Sequence, residues 1–146
     1  MDDSHFTVTQ LTVFIENKPG RSAHIATLLA EGGINLTSFN IADTSEYGLL
    51  RFIADDPVKA KEILKEHNIS ARSTEIIVAA LPDKVGGLAH VLNVIKENNV
   101  NIGYLYAFVS RQPGEVVIGM KVDNVEESVK KLREAGMKLL CLKDLL

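Results

Sequence analysis

The sequence predicts an α+β fold built twice: two ferredoxin-like βαββαβ units whose antiparallel sheets pack side by side, with helices on one face. Three observations predict it. Lys18, Gly20, Ala23, His24, Glu31 and Asn35 recur 66 residues later as Lys84, Gly86, Ala89, His90, Glu97 and Asn101. Repetition in register over so long a period means that one small unit was used twice. In each copy, β-branched runs and helical apolar stripes also alternate in the order strand, helix, strand, strand, helix, strand. Finally, no stretch rich in Pro, Gly or Ser separates the copies. The expected domains are therefore 1–73 and 74–146, with the boundary near Arg72–Glu75.

In the first copy, Val8 to Ile15 is an apolar, β-branched strand that Lys18-Pro19-Gly20 breaks, since Pro lacks an amide donor and Gly permits unusual dihedrals. Ile25, Leu28 and Leu29 fall at the spacing of a helical stripe, which Gly32-Gly33 ends. Leu36 to Asp43 and Leu49 to Ala54 read as strands joined by a turn around Ser45 to Gly48. Asp56-Pro57 opens a second helix, with an acidic cap and Pro in the first turn. Ala60, Ile63 and Leu64 supply its buried stripe, and Ile69 to Ser73 returns as a short strand.

The second copy repeats the order. Ile76 to Leu81 is a strand, and Leu88, Val91, Leu92 and Ile95 line a helix. Asn101 to Val109 and Val116 to Val122 form a hairpin around Pro113-Gly114. Val125, Val129 and Leu132 line the next helix, and Leu139 to Leu142 close as a strand. The offset grows from 66 to 68 past Val109, so two residues are inserted near the hairpin, where length changes are easily tolerated. Phe39 and Ile41 match Leu105 and Ala107 and are expected to face the helices. On the opposite face Ser38 and Asn40 match Tyr104 and Tyr106, and Phe108 extends these into a three-ring stripe. Such a stripe meets a partner subunit, the chain's own termini, or a stacked ligand.

Composition narrows the function. Hydrophobic content of 46%, charged content of 24% and a net charge of -3 describe a globular chain with no basic surplus for nucleic acid. Cys141, the single cysteine, excludes an intrachain disulfide, and its setting between leucines reads as a buried structural thiol. No apolar run reaches the roughly 18 residues of a membrane span. The start, Met1-Asp2-Asp3-Ser4-His5, lacks the order of a signal peptide, so the expected location is cytoplasmic.

The loop carries the specific signal. Asn17-Lys18-Pro19-Gly20-x-x-Ala23, followed by Gly33-Ile34-Asn35-Leu36, resembles an ACT domain, the regulatory module of many amino-acid biosynthetic enzymes. Both copies show the pattern, so the resemblance covers nearly all of residues 6 to 143. It implies a free amino acid bound beside the strand–helix loop, at an interface between ACT units. The residues suit that task. Gly20 and Gly86 allow close backbone approach. The helix that follows aims free amides and its positive end outward, suiting a carboxylate. Asn17 and Asn35 offer donors and acceptors together.

Asn17 and Asn35 also match the pair that holds serine in the regulatory ACT domain of phosphoglycerate dehydrogenase. Asp83 and Asn101 stand at those places in the second copy, where Asp83 suits an ammonium group. The implied site set is Asn17, Lys18, Pro19, Gly20, Arg21 and Asn35, with Asp83, Gly86, Gly87 and Asn101 as its pseudo-equivalent. Asn17 and Asp83 read equally as turn residues, and Asn35 and Asn101 as strand starts. The copies depart from the family pattern in Ser22 for Leu, Val85 for Pro, and the pair Gly86-Gly87.

The expected function is a non-catalytic amino-acid sensor, acting as a homodimer and engaging a metabolic enzyme. The alternative is a regulatory subunit working in trans, similar to the small subunit of acetolactate synthase. No Ser-His-Asp set, Walker loop or zinc motif suggests catalysis. His24 and His90, without acidic or thiol neighbours, make a poor metal site. No cofactor, nucleic acid or membrane is expected as a partner.

Overall fold

The computed structural model describes residues 6–16, 18–43, 46–108 and 112–146. The expected contribution of Asn17, the start of the expected turn at Ser45 and the end of the expected strand at Val109 lie outside them. The elements run β1 (Val8–Glu16), α1 (Arg21–Glu31), β2 (Leu36–Asp43), β3 (Tyr47–Ala54), α2 (Pro57–Glu66) and β4 (Ala71–Pro82). They continue as α3 (Gly87–Glu97), β5 (Ile102–Phe108), β6 (Glu115–Val122), α4 (Val125–Glu134), β7 (Lys138–Leu140) and α5 (Leu142–Leu145). This is βαββαβ twice, as the repeat predicts. The expected strands at Ile69–Ser73 and Ile76–Leu81 are one continuous strand, β4. Its polar middle, Arg72 to Glu75, reads as a break in sequence but stays extended.

The chain divides into two compact units, Thr9–Thr74 and Glu75–Leu146, the second joined by the described residues 6–8. In the N-terminal unit β3 lies between β2 and β1, and β4, whose residues 71–74 belong to this unit, stands next to β1. In the C-terminal unit the order is β5-β6-β4-β7. The pairs β1–β3, β2–β3, β4–β6, β4–β7 and β5–β6 are antiparallel. Each copy carries an irregularity at the same place in its second strand, between Leu36 and Ser38 and between Ile102 and Tyr104.

Each unit has its own core. In the N-terminal unit Ile25, Leu28 and Leu29 of α1 and Ala60 and Leu64 of α2 pack on Leu11, Val13, Leu50 and Phe52. In the C-terminal unit Val91 and Ile95 of α3 and Val129 and Leu132 of α4 pack on Ile77, Ile118 and Met120. Phe6 packs against this second core, with the Arg133 guanidinium 4.2 Å above its ring. That contact explains why residues 6–8 group with the distant half of the chain rather than with the neighbouring one.

Caps fix the helix boundaries. Asp56 accepts a hydrogen bond from the Lys59 amide at 3.1 Å, and Pro57 follows it in the first turn. All four long helices end alike. Gly33, Asn68, Asn99 and Gly136 take positive φ. The apolar residue after each, Ile34, Ile69, Val100 or Met137, donates its amide back to Leu29, Leu64, Ile95 or Leu132. This is the Schellman ending, in which the left-handed residue lets the chain turn and satisfies carbonyls the helix leaves open.

One expectation is refined and three are corrected. Phe39 and Ile41 pair with the core residues Phe52 and Leu50, so they lie on the helix-side face. They are nevertheless 43% and 50% exposed, because β2 is the outermost strand and the helices do not reach over it. In α3 the stripe is narrower than expected: Val91 and Ile95 are buried, whereas Leu88 and Leu92 are partly exposed. At the C-terminus Leu142 begins α5 instead of extending the last strand, and Cys141 is only half-buried. Its thiol donates to Asp144 at 3.2 Å and its amide at 2.9 Å. These bonds hold the Asp144 carboxyl below the usual carboxylate range.

Phe52 is fully buried at the centre of its core. Phe52→Ala is expected to destabilise the N-terminal unit by about 3–5 kcal/mol, read as an earlier urea-unfolding transition.

Candidate functional site at the strand–helix loops

A chain leaving β1 must reverse into α1 within four residues, and Gly20 makes that possible. It sits at φ 86° and ψ -7° as the residue before the helix, a left-handed conformation that costs other residues roughly 1–2 kcal/mol. Gly86 repeats it before α3 at φ 84° and ψ -6°. The two loops also share their hydrogen bonds. Lys18 and Lys84 donate their amides to Glu16 and Pro82 at 2.8 and 3.0 Å, and His24 and His90 donate to Gly20 and Gly86, both at 2.9 Å.

A glycine at this place has no side chain to cap the helix, and neither helix has a side-chain cap bond. The amides of Ser22 and Ala23, and of Leu88 and Ala89, find no acceptor among the described residues. A Cβ built on Gly20 or Gly86 would meet nothing within 4 Å, so the space in front of both bends is open. Free helix-start amides favour an anion there. Gly87 has a different task. It is buried, and a Cβ on it would collide with the Pro82 carbonyl oxygen, so its missing side chain lets the loop close on the strand end.

The charges around the two bends differ. Glu16 accepts from Lys18 at 3.0 Å and lies 3.5 Å from Arg21. The Lys18 contact, and then the Arg21 charge, hold its carboxyl below the ordinary value. The second copy has Pro82, Lys84 and Gly87 at those places, without the carboxylate or the guanidinium. Beside the first bend lies a cleft of ≈ 290 Å³ lined by the polar residues Glu16, Lys18 and Ser22 and by Ile15, Ile41, Tyr47 and Gly48. A Cβ on Gly48 would come within 3.2 Å of Ile15 and 3.4 Å of Ile41, so glycine lets these two side chains close in over it.

Lys18, Pro19, Gly20 and Arg21 come together at this end, as do Asp83, Gly86 and Gly87 in the second unit. Asn35 and Asn101 do not join them. β1 ends beside the start of β3, where Glu16 pairs Tyr47, whereas Leu36 pairs Ala54 at the other end of β3. Asn35 therefore lies a full strand length, roughly 20 Å, from Gly20 of its own unit. The equivalent pairings of Pro82 with Glu115 and of Ile102 with Val122 separate Gly86 from Asn101.

At that far end two aspartates matter that the motif reading missed. Asp55 accepts from the Asn35 amide at 3.1 Å and returns its own amide to the Asn35 carbonyl at 3.0 Å. In the second copy Asp123 instead accepts from the Asn101 side chain at 3.0 Å. Their recurrence at the end of the third strand of each copy is the signal that could have found them. The three-ring stripe is present: Tyr104 stacks on Tyr106 at 6.4 Å and Tyr106 meets Phe108 at 6.1 Å. Tyr106 and Phe108 cover Gly119 of the neighbouring strand. His24 and His90 are exposed. Among the described residues no three His, Cys, Asp or Glu side chains gather to hold a metal, and no helix is long and apolar enough to cross a membrane.

Residues 6–145 match the family model for an ACT domain pair. The chain belongs to the ACT domain pair family. The pair is similar in structure to protein BT0572 from Bacteroides thetaiotaomicron, with a TM-score of 0.89 and 31% identity over 96% of each chain. It shares its fold, at 16% identity and a TM-score of 0.62, with the regulatory subunit of aspartate kinase from Thermus thermophilus, covering 87% of this chain and 91% of that one. In sequence it is 28% identical to a probable acetolactate synthase small subunit from Archaeoglobus fulgidus, over 89% of both chains. ACT domains are regulatory, and the Thermus thermophilus relative is the regulatory subunit of its kinase.

Two measurements probe this ACT loop. Gly20→Ala is expected to cost about 1–2 kcal/mol by denaturant unfolding, from backbone strain alone. Gly87→Ala, which meets a carbonyl, should cost more than an open-space Gly→Ala change. Lys18→Ala is expected to raise the Glu16 carboxyl back toward its ordinary pKa, followed by side-chain NMR titration. The sign follows from a depressed folded-state pKa: the pairing stabilises the fold above the unfolded pKa and is lost as pH falls through the lowered one.

Proposed function

We propose that this ACT pair is a non-catalytic cytoplasmic sensor that binds a free amino acid at its strand–helix loops and changes its own assembly in response. The observation that carries the reading is the pair of uncapped helix starts behind open glycine bends. The ligand's carboxylate takes the amides of Ser22 and Ala23, with Lys18 and Arg21 nearby. Its ammonium group takes Glu16, and its side chain lies on Ile15, Ile41 and Gly48. At the second bend Asp83 takes the ammonium role and the amides after Gly86 the carboxylate. Asn17 joins the first set.

Asn35 and Asn101, a strand length from their own bends, serve a site only when another ACT unit supplies them, and in this reading a second copy of the chain does so. That makes the working form a homodimer and gives the ligand its leverage. A ligand shifts an assembly equilibrium only by binding one state better than the other, and a pocket divided between molecules does so. A second reading, regulation in trans of an amino-acid biosynthetic enzyme, is favoured by the likeness to a probable acetolactate synthase small subunit across 89% of both chains.

Thermal-shift screening of the twenty amino acids tests the sensor. One amino acid, or one chemical group of them, is expected to raise the melting temperature; a concentration of 100 times Kd corresponds to about 2.7 kcal/mol. Asn35→Ala should remove the shift while leaving the ligand-free melting temperature in place. If none of the twenty shifts the pure, folded protein at millimolar concentration, the sensor reading is refuted. Co-purification of a large enzyme with the tagged chain would select the second reading.

A further inference from the structure

We propose that a second cleft of the N-terminal unit, between the first turn of α1 and the end of α2, binds a small organic anion. Its ligand carries an oxyanion head on a short apolar body. The cleft measures ≈ 290 Å³ and shares Ile15 and Glu16 with the one beside the first bend. That one is walled by β2 and β3, whereas this one is walled by the turn from α2 into β4. The volume lies just under the roughly 300–1,000 Å³ of drug-sized pockets, so the ligand is small.

Three elements supply the chemistry. Ile25 and Ile69 bring apolar surface from the edge of the core. Arg21 and His24, three residues apart, stand on one face of α1. His67 ends α2, and its Nδ1 lies 2.9 Å from the Ile63 carbonyl oxygen. A carbonyl only accepts, so Nδ1 carries the hydrogen, and the bond leaves Nε2 for a ligand. A protonated imidazole donates from both nitrogens, so Nε2 then suits an oxyanion. Glu16 also borders the cleft, but Lys18 balances it at 3.0 Å. Arg21, 3.5 Å from the same carboxylate, and the two imidazoles leave the donors in excess.

The repeat provides an internal control. Ile25 and Ile69 correspond to Val91 and Met137, which fill the second core in the same way. Asn68 corresponds to Gly136, and both take the left-handed turn that ends a helix. Arg21 and His67, by contrast, correspond to Gly87 and Ala135. Neither the fold nor the core therefore requires the guanidinium or the second imidazole. The first copy alone brings them to one cleft. This inference does not rest on the sensor reading, whose ligand occupies the other cleft.

An NMR titration of the isotope-labelled full-length chain tests it, in mildly acidic buffer where imidazole carries charge. Butyrate, the probe, is expected to shift the amide signals of His24, His67 and Ile69 saturably. Uncharged butyramide should leave them in place. Inorganic phosphate, which has the charge without the body, should bind several-fold more weakly. His67→Ala, which installs the residue of the second copy, is expected to weaken butyrate roughly tenfold. His24→Ala, at an exposed position, should weaken it several-fold. Neither variant should abolish a thermal shift produced by an amino acid. Equal shifts with butyramide, or undiminished butyrate binding by both folded variants, overturn the anion site. Phosphate binding as tightly as butyrate overturns the apolar body. No saturable shift with either anion overturns the cleft as a site. Butyrate binding here alongside a failed amino-acid screen would refute the sensor and leave this inference standing.

Discussion

The constraint on which the rest of each unit depends is the left-handed glycine that turns a strand into a helix within four residues. Gly20 and Gly86 adopt it within a few degrees of each other. Had serine or aspartate stood there, its side chain would have capped the helix and covered the free amides, while the left-handed backbone would have been strained. Glycine solves the turn and leaves the amides uncovered. Fold and chemistry therefore make the same demand on one position. This is why the motif is readable, and why it alone does not separate a turn from a site.

The two copies diverge where the fold leaves them free. Their buried positions match, Ile25 with Val91 and Leu29 with Ile95, because each core must be filled. Around the bend the first copy gathers Glu16, Lys18 and Arg21, and the second has neither the carboxylate nor the guanidinium. Gly87 is then a packing residue, required because the second loop lies close on the Pro82 carbonyl. One duplicated scaffold thus presents two chemically different helix starts, and equal affinity for one ligand at both is not what such chemistry gives.

Much of the fold was legible in the sequence because its signals are local. The stripe of Ile25, Leu28 and Leu29, the Asp56-Pro57 cap and the matching strand order each depend on residues a few positions apart, and local physics decides them. The Schellman endings were half-legible: Gly32-Gly33 marked one, while Asn68-Ile69 and Asn99-Val100 carry the same instruction in asparagine. What could not be read depends on distant pairing. Phe39 and Ile41 alternate like core residues, and their exposure follows from β2 being an outer strand. The run Arg72–Glu75 looks like a break and is a strand, because pairing can hold polar residues extended. Phe6 belongs to the core of residues far along the chain.

The distance between Gly20 and Asn35 was legible in principle, and it changes the meaning of the site. A helix that packs back along its strand returns the chain to the end where it started, so a residue just after α1 cannot stand beside one just before it. Two motif halves fifteen residues apart in sequence read as one pocket only while that reversal is ignored. Once it is respected, a ligand that needs both halves needs more than one ACT unit, and its binding energy becomes energy of their association. A sensor then requires no moving lid or hinge. It requires a pocket whose completion is association, on a scaffold whose individual units fold without the ligand.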